Sequence, residues 1–137
     1  MKSFPASLKK LYEMLHFISE SADKCSFHHK EIVFIQLAVE EVLVNIIRHG
    51  YLDRNDGYIK IYCLPLNNSD LKVVIQDIGV PFNPIEELKK TKIDRTEKLI
   101  GGHGLSLLEQ IMDQVDYEFV NGANILTLIK KKSERKI

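Results

Sequence analysis

Two cysteines in 137 residues, Cys25 and Cys63, are too few and too far apart for a disulfide framework, and neither has a second cysteine or a histidine cluster at metal-ligand spacing. Both read as reduced packing residues. The adjacent His28 and His29 diverge on a helix, which favours two solvated side chains over a metal pair. An excess of one charge is missing as well: 19 Lys and Arg stand against 19 Asp and Glu. That balance disfavours a polyanion as the main partner, so direct nucleic-acid binding is not expected and any phosphate site must be local. No apolar run approaches the roughly 20 residues that cross a bilayer. The N-terminus lacks the basic-then-apolar layout of a secretory leader, and the expected compartment is the cytoplasm, with no membrane partner. Internal repeats and linker-like stretches are absent too.

What is present is ordinary globular composition, 45% hydrophobic and 28% charged, at the size of one domain covering 1–137. Leu8, Leu11, Tyr12, Leu15 and Ile18 recur at helical spacing after Pro5 and predict a first helix to about residue 22. A second, longer helix is predicted over 29–49, with Ile35, Val39, Val42 and Ile46 as its apolar stripe and Gly50 as its stop. Strands at 58–64 and 71–76 flank the turn-forming Asn67-Asn68-Ser69-Asp70. Residues 78–104 carry two prolines, four glycines and many charges, which predicts a long functional loop with a short helix at 85–90. A third helix over 104–112 follows, then strands at 115–120 and 124–130 joined by Asn121-Gly122, a tight-hairpin signal. The tail from Lys130 to Lys136 reads as a solvated, frayed end. The fold class implied is α/β in the sense of an α+β two-layer sandwich, with helices on one face of a mostly antiparallel mixed sheet.

Three places carry possible chemistry. Glu41, Asn45 and Arg48 fall at i, i+4 and i+7 beside the apolar stripe, and an Asn there is a neutral oxygen ligand suited to Mg²⁺, which takes few protein ligands alongside phosphate and water. A solvated helix face is the plainer reading. In Asp77-Ile78-Gly79-Val80-Pro81-Phe82, a carboxylate ends an apolar strand and can accept from an adenine amino group, while the glycine lets the ring approach the backbone. A simple Asx turn before proline would leave the same residues. Gly101-Gly102-His103-Gly104 precedes a helix, where free backbone N–H groups and the helix dipole suit a phosphate, although a flexible N-cap looks alike. The Gly-Lys-Ser/Thr of a P-loop is missing.

Taken in order, Glu41-Val42-Leu43-Val44-Asn45, Asp77-Ile78-Gly79 and Gly102-His103-Gly104-Leu105 resemble the N, G1 and G2 boxes of the family of gyrase, histidine kinases and MutL, which has a Bergerat-type ATP-binding fold. Within it the chain is most similar to the anti-sigma-factor serine kinases of bacterial partner switching. That likeness rests on Ala38-Val39-Glu40-Glu41, His49-Gly50-Tyr51, Pro81-Phe82-Asn83-Pro84 and Met112-Asp113. Histidine kinases need a separate phosphoacceptor helix pair, for which this chain has no room.

The resemblance implies Mg-ATP as cofactor, with Asn45 on the metal, Asp77 and Gly79 on adenine, and Gly102 and Gly104 giving backbone to the phosphates. Arg48, Phe82, His103 and Leu105 complete the implied nucleotide set, and Glu41 is the implied general base for a serine hydroxyl. Lys89, Lys90, Lys92, Arg95 and Lys98 are lid cations in that reading or, alternatively, a solvated loop. The implied partners are an anti-anti-sigma substrate, a sigma factor and a second copy of the chain. Two departures stand out: Ile100-Gly101 where relatives often carry an arginine before the glycines, and Ala123-Asn124 where threonine tends to follow the last hairpin's glycine. They keep two other readings open, a non-catalytic nucleotide-binding interaction module and a plain ATP hydrolase.

Overall fold

Side-chain alternation sets the sheet. In β3 (Asp70–Asp77) Leu71, Val73, Ile75 and Asp77 are buried while the residues between them are half-buried. The same parity runs along β5 (Ala123–Lys130), where Asn124, Leu126 and Leu128 face inward. Ile59 and Ile61 of β2 (Tyr58–Leu66) extend that face. The computed structural model describes residues 1–51, 57–67, 69–83, 86 and 107–132. Its sheet has five strands in the order β1-β2-β3-β5-β4, with β1 (Lys2–Pro5) and β4 (Gln114–Val120) at the edges. Every pairing is antiparallel, so no mixed sheet forms among the described residues.

Helices α1 (Leu11–Lys24), α2 (His29–Asn45) and α3 (Leu107–Ile111) cover the buried face. Helix α2 lies between the others, packed against both α1 and α3. Its stripe of Ile35, Val39, Val42 and Ile46 is buried as the periodicity predicts, with Ala38 and Leu43 beside it. Met14 and Ile18 of α1 and Leu108 of α3 join the same core. Each such aliphatic side chain removed from water contributes about 1.5–3 kcal/mol. Among the described residues no helix is long and apolar enough to span a membrane.

Four local features depart from the sequence reading. Pro5 ends a strand and does not enter a helix; Ser7 starts the helical segment by accepting the Lys9 N–H at 3.2 Å, and a 3₁₀ turn of Leu8–Lys10 leads into α1. Tyr12, placed on the apolar stripe by spacing, is 86% exposed, because the face of α1 turned to the core is that of Met14, Leu15, Ile18 and Ala22. Helix α2 gives way after Asn45 to a π-helical turn of Ile46–Gly50, closed by the Tyr51 N–H on the Ile46 carbonyl at 3.1 Å. Lys130 is not part of a frayed tail: it closes β5, and its ammonium donates to the Ile111 carbonyl at 3.0 Å, where the last carbonyls of α3 attract a cation. The Lys131 and Lys132 N–H groups are likewise held, by Asp113 and Asp70.

The Asn121-Gly122 hairpin forms as expected, with φ of 51° and 80° at the two residues, the pair of positive values that a two-residue primed turn requires. The short helix expected at 85–90 and the start of the third helix lie outside the described residues, apart from a single helical position at 86 and the helix from Leu107 onward.

Candidate functional site

The C-terminal end of α2 and the C-terminal end of β3 meet. The Val80 N–H donates to the Gly50 carbonyl at 3.1 Å, and the rings of His49 and Phe82 lie 5.8 Å apart between centroids. Between those contacts stands Gly79, where an added Cβ would sit 2.6 Å from the Gly50 oxygen. No side chain fits there without moving backbone. The buried Tyr51 fixes the same corner: its hydroxyl donates to the Tyr58 carbonyl at 2.6 Å and accepts the Ile78 N–H at 2.9 Å.

Asp77 occupies the last inward position of β3, where the pattern Leu71, Val73, Ile75 would put another apolar residue. It is 3% exposed. Its Oδ1 accepts the Gly79 N–H and one Asn124 Nδ2–H, both at 2.9 Å. Burial pushes its carboxyl above the ordinary value, and those two donors act the other way by favouring the charged form. The second oxygen, Oδ2, has no hydrogen bond to any described residue, which leaves an acceptor edge of the kind an exocyclic amino group needs.

Asn124 is the residue sequence reasoning undervalued. It lies directly across the ladder from Asp77, and the two are the buried polar or charged residues among those described. Its amide nitrogen donates to Asp77 and to the carbonyls of Val80 and Gly79, at 3.0 and 3.3 Å, while its oxygen accepts the Phe82 N–H at 3.1 Å and the Tyr117 hydroxyl. The available signal was parity, because Asn124 shares the inward phase of Leu126 and Leu128.

One turn apart on α2, Glu41 and Asn45 are both half-buried. The Asn45 amide nitrogen donates to the Glu41 backbone carbonyl at 3.2 Å, which leaves its side-chain oxygen as the group able to meet a cation. Among the described residues no group of three His, Cys, Asp or Glu could cage a metal. A single amide oxygen with phosphates and water is the arrangement Mg²⁺ tolerates, so the residues present fit it. Glu41 Oε1 is buried with no hydrogen-bond partner among the described residues, a costly state that a waiting proton donor would relieve. Arg48 is exposed in the π-helical turn, so the i+7 alignment assumed for a continuous α-helix does not extend to it. Gly102, His103, Gly104 and Leu105, along with Lys89, Lys90, Lys92, Arg95 and Lys98, lie outside the described residues. A separate groove of about 620 Å³ opens between the outer sides of α1 and α2, lined by Leu15, Phe17, Val33 and Leu37 among others, and none of Glu41, Asn45, Asp77 and Asn124 lines it.

The family model for the histidine kinase-like ATPase domain matches residues 4–130, nearly the whole chain. The chain belongs to the histidine kinase-like ATPase family, in its anti-sigma-factor branch. It is 31% identical over 107 residues to the anti-sigma F factor of Clostridium novyi (strain NT), covering 76% of this chain and 74% of that protein. The serine-protein kinase RsbW of Staphylococcus aureus (strain bovine RF122 / ET3-1) is 31% identical over 141 residues, covering 96% of this chain and 87% of the relative. Among solved structures, a histidine kinase domain of the blue-light activated histidine kinase from Erythrobacter litoralis EL346 superposes with a TM-score of 0.51 at 20% identity. That match covers 73% of this chain and 44% of the longer kinase chain, and it speaks to the fold alone. Membership of an ATPase-domain family accounts for the use of a nucleotide.

Proposed function

We propose that the protein is an ATP-dependent serine kinase that phosphorylates an anti-anti-sigma factor and, when that partner is unavailable, sequesters a sigma factor. Relatives named anti-sigma F factor and serine-protein kinase RsbW, matched over most of their length, support the activity. The observation that carries the chemistry is the buried Oε1 of Glu41, without a hydrogen-bond partner among the described residues, one helical turn from an Asn45 whose side-chain oxygen is left over. In this reading Asp77 and Gly79 hold adenine, Phe82 packs at the same corner, and the Gly102-His103-Gly104-Leu105 segment gives backbone to the phosphates.

The Glu41 carboxylate takes the proton of the substrate serine hydroxyl as the serine oxygen bonds to the γ-phosphorus. The bond from that phosphorus to the β,γ-bridging oxygen breaks, and ADP leaves with the bonding electrons. Bound Mg²⁺ supplies charge neutralisation on the phosphates, and Asn45 is the residue that would hold it. The protein acts as one domain in the cytoplasm and as a homodimer.

Incubation with γ-labelled ATP, Mg²⁺ and a candidate anti-anti-sigma protein tests this. Label on a serine of the partner is the expected result. Absence of nucleotide binding at excess Mg²⁺ would overturn it, while phosphate release without any partner would reassign the protein as a hydrolase.

A further inference from the structure

Asn124 faces Asp77 across the β3–β5 ladder, and its amide orientation is forced by its surroundings. On one side stand three acceptors, Asp77 Oδ1 and the carbonyls of Gly79 and Val80; on the other stand two donors, the Phe82 N–H and the Tyr117 hydroxyl. Rotating the amide by half a turn would oppose donor to donor or acceptor to acceptor at four of the five places, the Tyr117 hydroxyl alone being able to turn and accept. The nitrogen therefore points at Asp77.

With Oδ1 filled by Gly79 and Asn124, the carboxylate cannot exchange its two oxygens without breaking both bonds. Oδ2 is left as the fixed acceptor. We propose that Asn124 is a positioning residue for base selection: by locking Asp77 through Oδ1, it presents Oδ2 to the 6-amino group of adenine and disfavours purines that lack that group. The inference rests on the reading of Asp77 as the adenine acceptor. Purines with a 6-oxo group are rejected on the same grounds, because a carbonyl oxygen would face a carboxylate oxygen with no proton between them.

Two consequences separate positioning from mere support of the fold. A structural clamp would affect all nucleotides alike, whereas a positioning residue changes the ratio between bases. Asn124 also donates to the charged form of Asp77, so its removal moves the acid limb of ATP binding to higher pH.

The test uses the full chain with Mg²⁺, and measures Kd for ATP and for purine riboside triphosphate, which has hydrogen in place of the 6-amino group. Wild type is expected to prefer ATP by on the order of 10- to 100-fold, the range of one hydrogen bond to a charged group. Asn124→Thr, whose hydroxyl can still donate across the ladder, keeps most of that preference. Asn124→Val, isosteric with the threonine variant but without its hydroxyl, loses it, falling to within about threefold, and shifts the acid limb upward. Full discrimination in Asn124→Val, or its loss in Asn124→Thr with a wild-type melting curve, overturns the inference. If Asp77→Asn also leaves the ratio unchanged, it is the assignment of Asp77 to adenine that fails. Should Asn124→Val not fold, the smaller pair Asn124→Ser and Asn124→Ala gives the same comparison.

Discussion

A Cβ on Gly79 would stand 2.6 Å from the carbonyl oxygen of Gly50, and the next residue, Val80, donates its N–H to that same oxygen. The turn after β3 and the end of α2 thus meet backbone to backbone, with no room for a side chain. Gly79→Ala must push them apart. A stability loss of about 1–3 kcal/mol is expected, the usual cost of overpacking, and ATP affinity should fall at least tenfold because both walls of the corner move. Thermal melting and nucleotide titration check the two effects separately.

Glu41 and Asn45 should separate chemistry from binding. Asn45→Ala is expected to abolish the Mg²⁺ dependence of ATP affinity. Glu41→Gln should bind ATP as wild type does but transfer phosphate about 10²- to 10⁴-fold more slowly, the usual contribution of a positioned base. Single-turnover transfer assays beside equilibrium titrations measure both. Normal transfer by Glu41→Gln would remove Glu41 from the reaction.

Tyr51→Phe deletes one oxygen that serves two backbone groups, the Tyr58 carbonyl and the Ile78 N–H. Leaving those groups unsatisfied costs about 1–3 kcal/mol each if water does not reach them. The expected outcome is a lower melting temperature together with weaker ATP binding, since Ile78 links Asp77 to Gly79. A variant that melts lower and binds ATP normally would show that Tyr51 supports the fold alone.

Acid should weaken nucleotide binding earlier than an ordinary carboxylate would predict. Burial raises the Asp77 carboxyl, so the folded state holds its proton more tightly than the unfolded chain does. The stability linked to this group is fully present below the unfolded pKa and is lost as pH rises through the folded pKa. Asp77→Asn, which cannot ionise, should therefore equal or exceed wild type in stability at pH 7 and lose that advantage below about pH 4. ATP binding runs the opposite way, because the ionised carboxylate is the acceptor, and it should fall as pH drops through the raised value. Urea melts from about pH 3 to 8 and ATP titrations over the same range check both limbs.

The helices and strands that pack were readable because packing imposes a period. Ile35, Val39, Val42 and Ile46 repeat as a helix must, and Leu71, Val73 and Ile75 as a strand must, so those elements came out within a few residues of their ends. Lys2–Pro5 escaped because four residues ending in proline carry too little alternation to signal an edge strand. The π-helical turn has no signature in composition, and it is the reason Arg48 was aligned with Glu41 and Asn45 but is exposed. At the site, Asp77 and Gly79 were legible as a carboxylate and a glycine at a strand end. Asn124 was noted as a departure from threonine, but its five hydrogen bonds depend on a cross-strand register that no local window contains.

The turn of Ile46–Gly50 also acts as a ruler. Its wider rings place the Gly50 carbonyl under Val80 while Asn45 stays in the regular part of α2. The number of residues between Asn45 and Gly50 is thus under tighter constraint than their identities. Conservative exchanges at Arg48, which faces solvent, leave that length intact. Losing one residue would let the segment relax into ordinary α-helix and withdraw the carbonyl from the loop that follows β3.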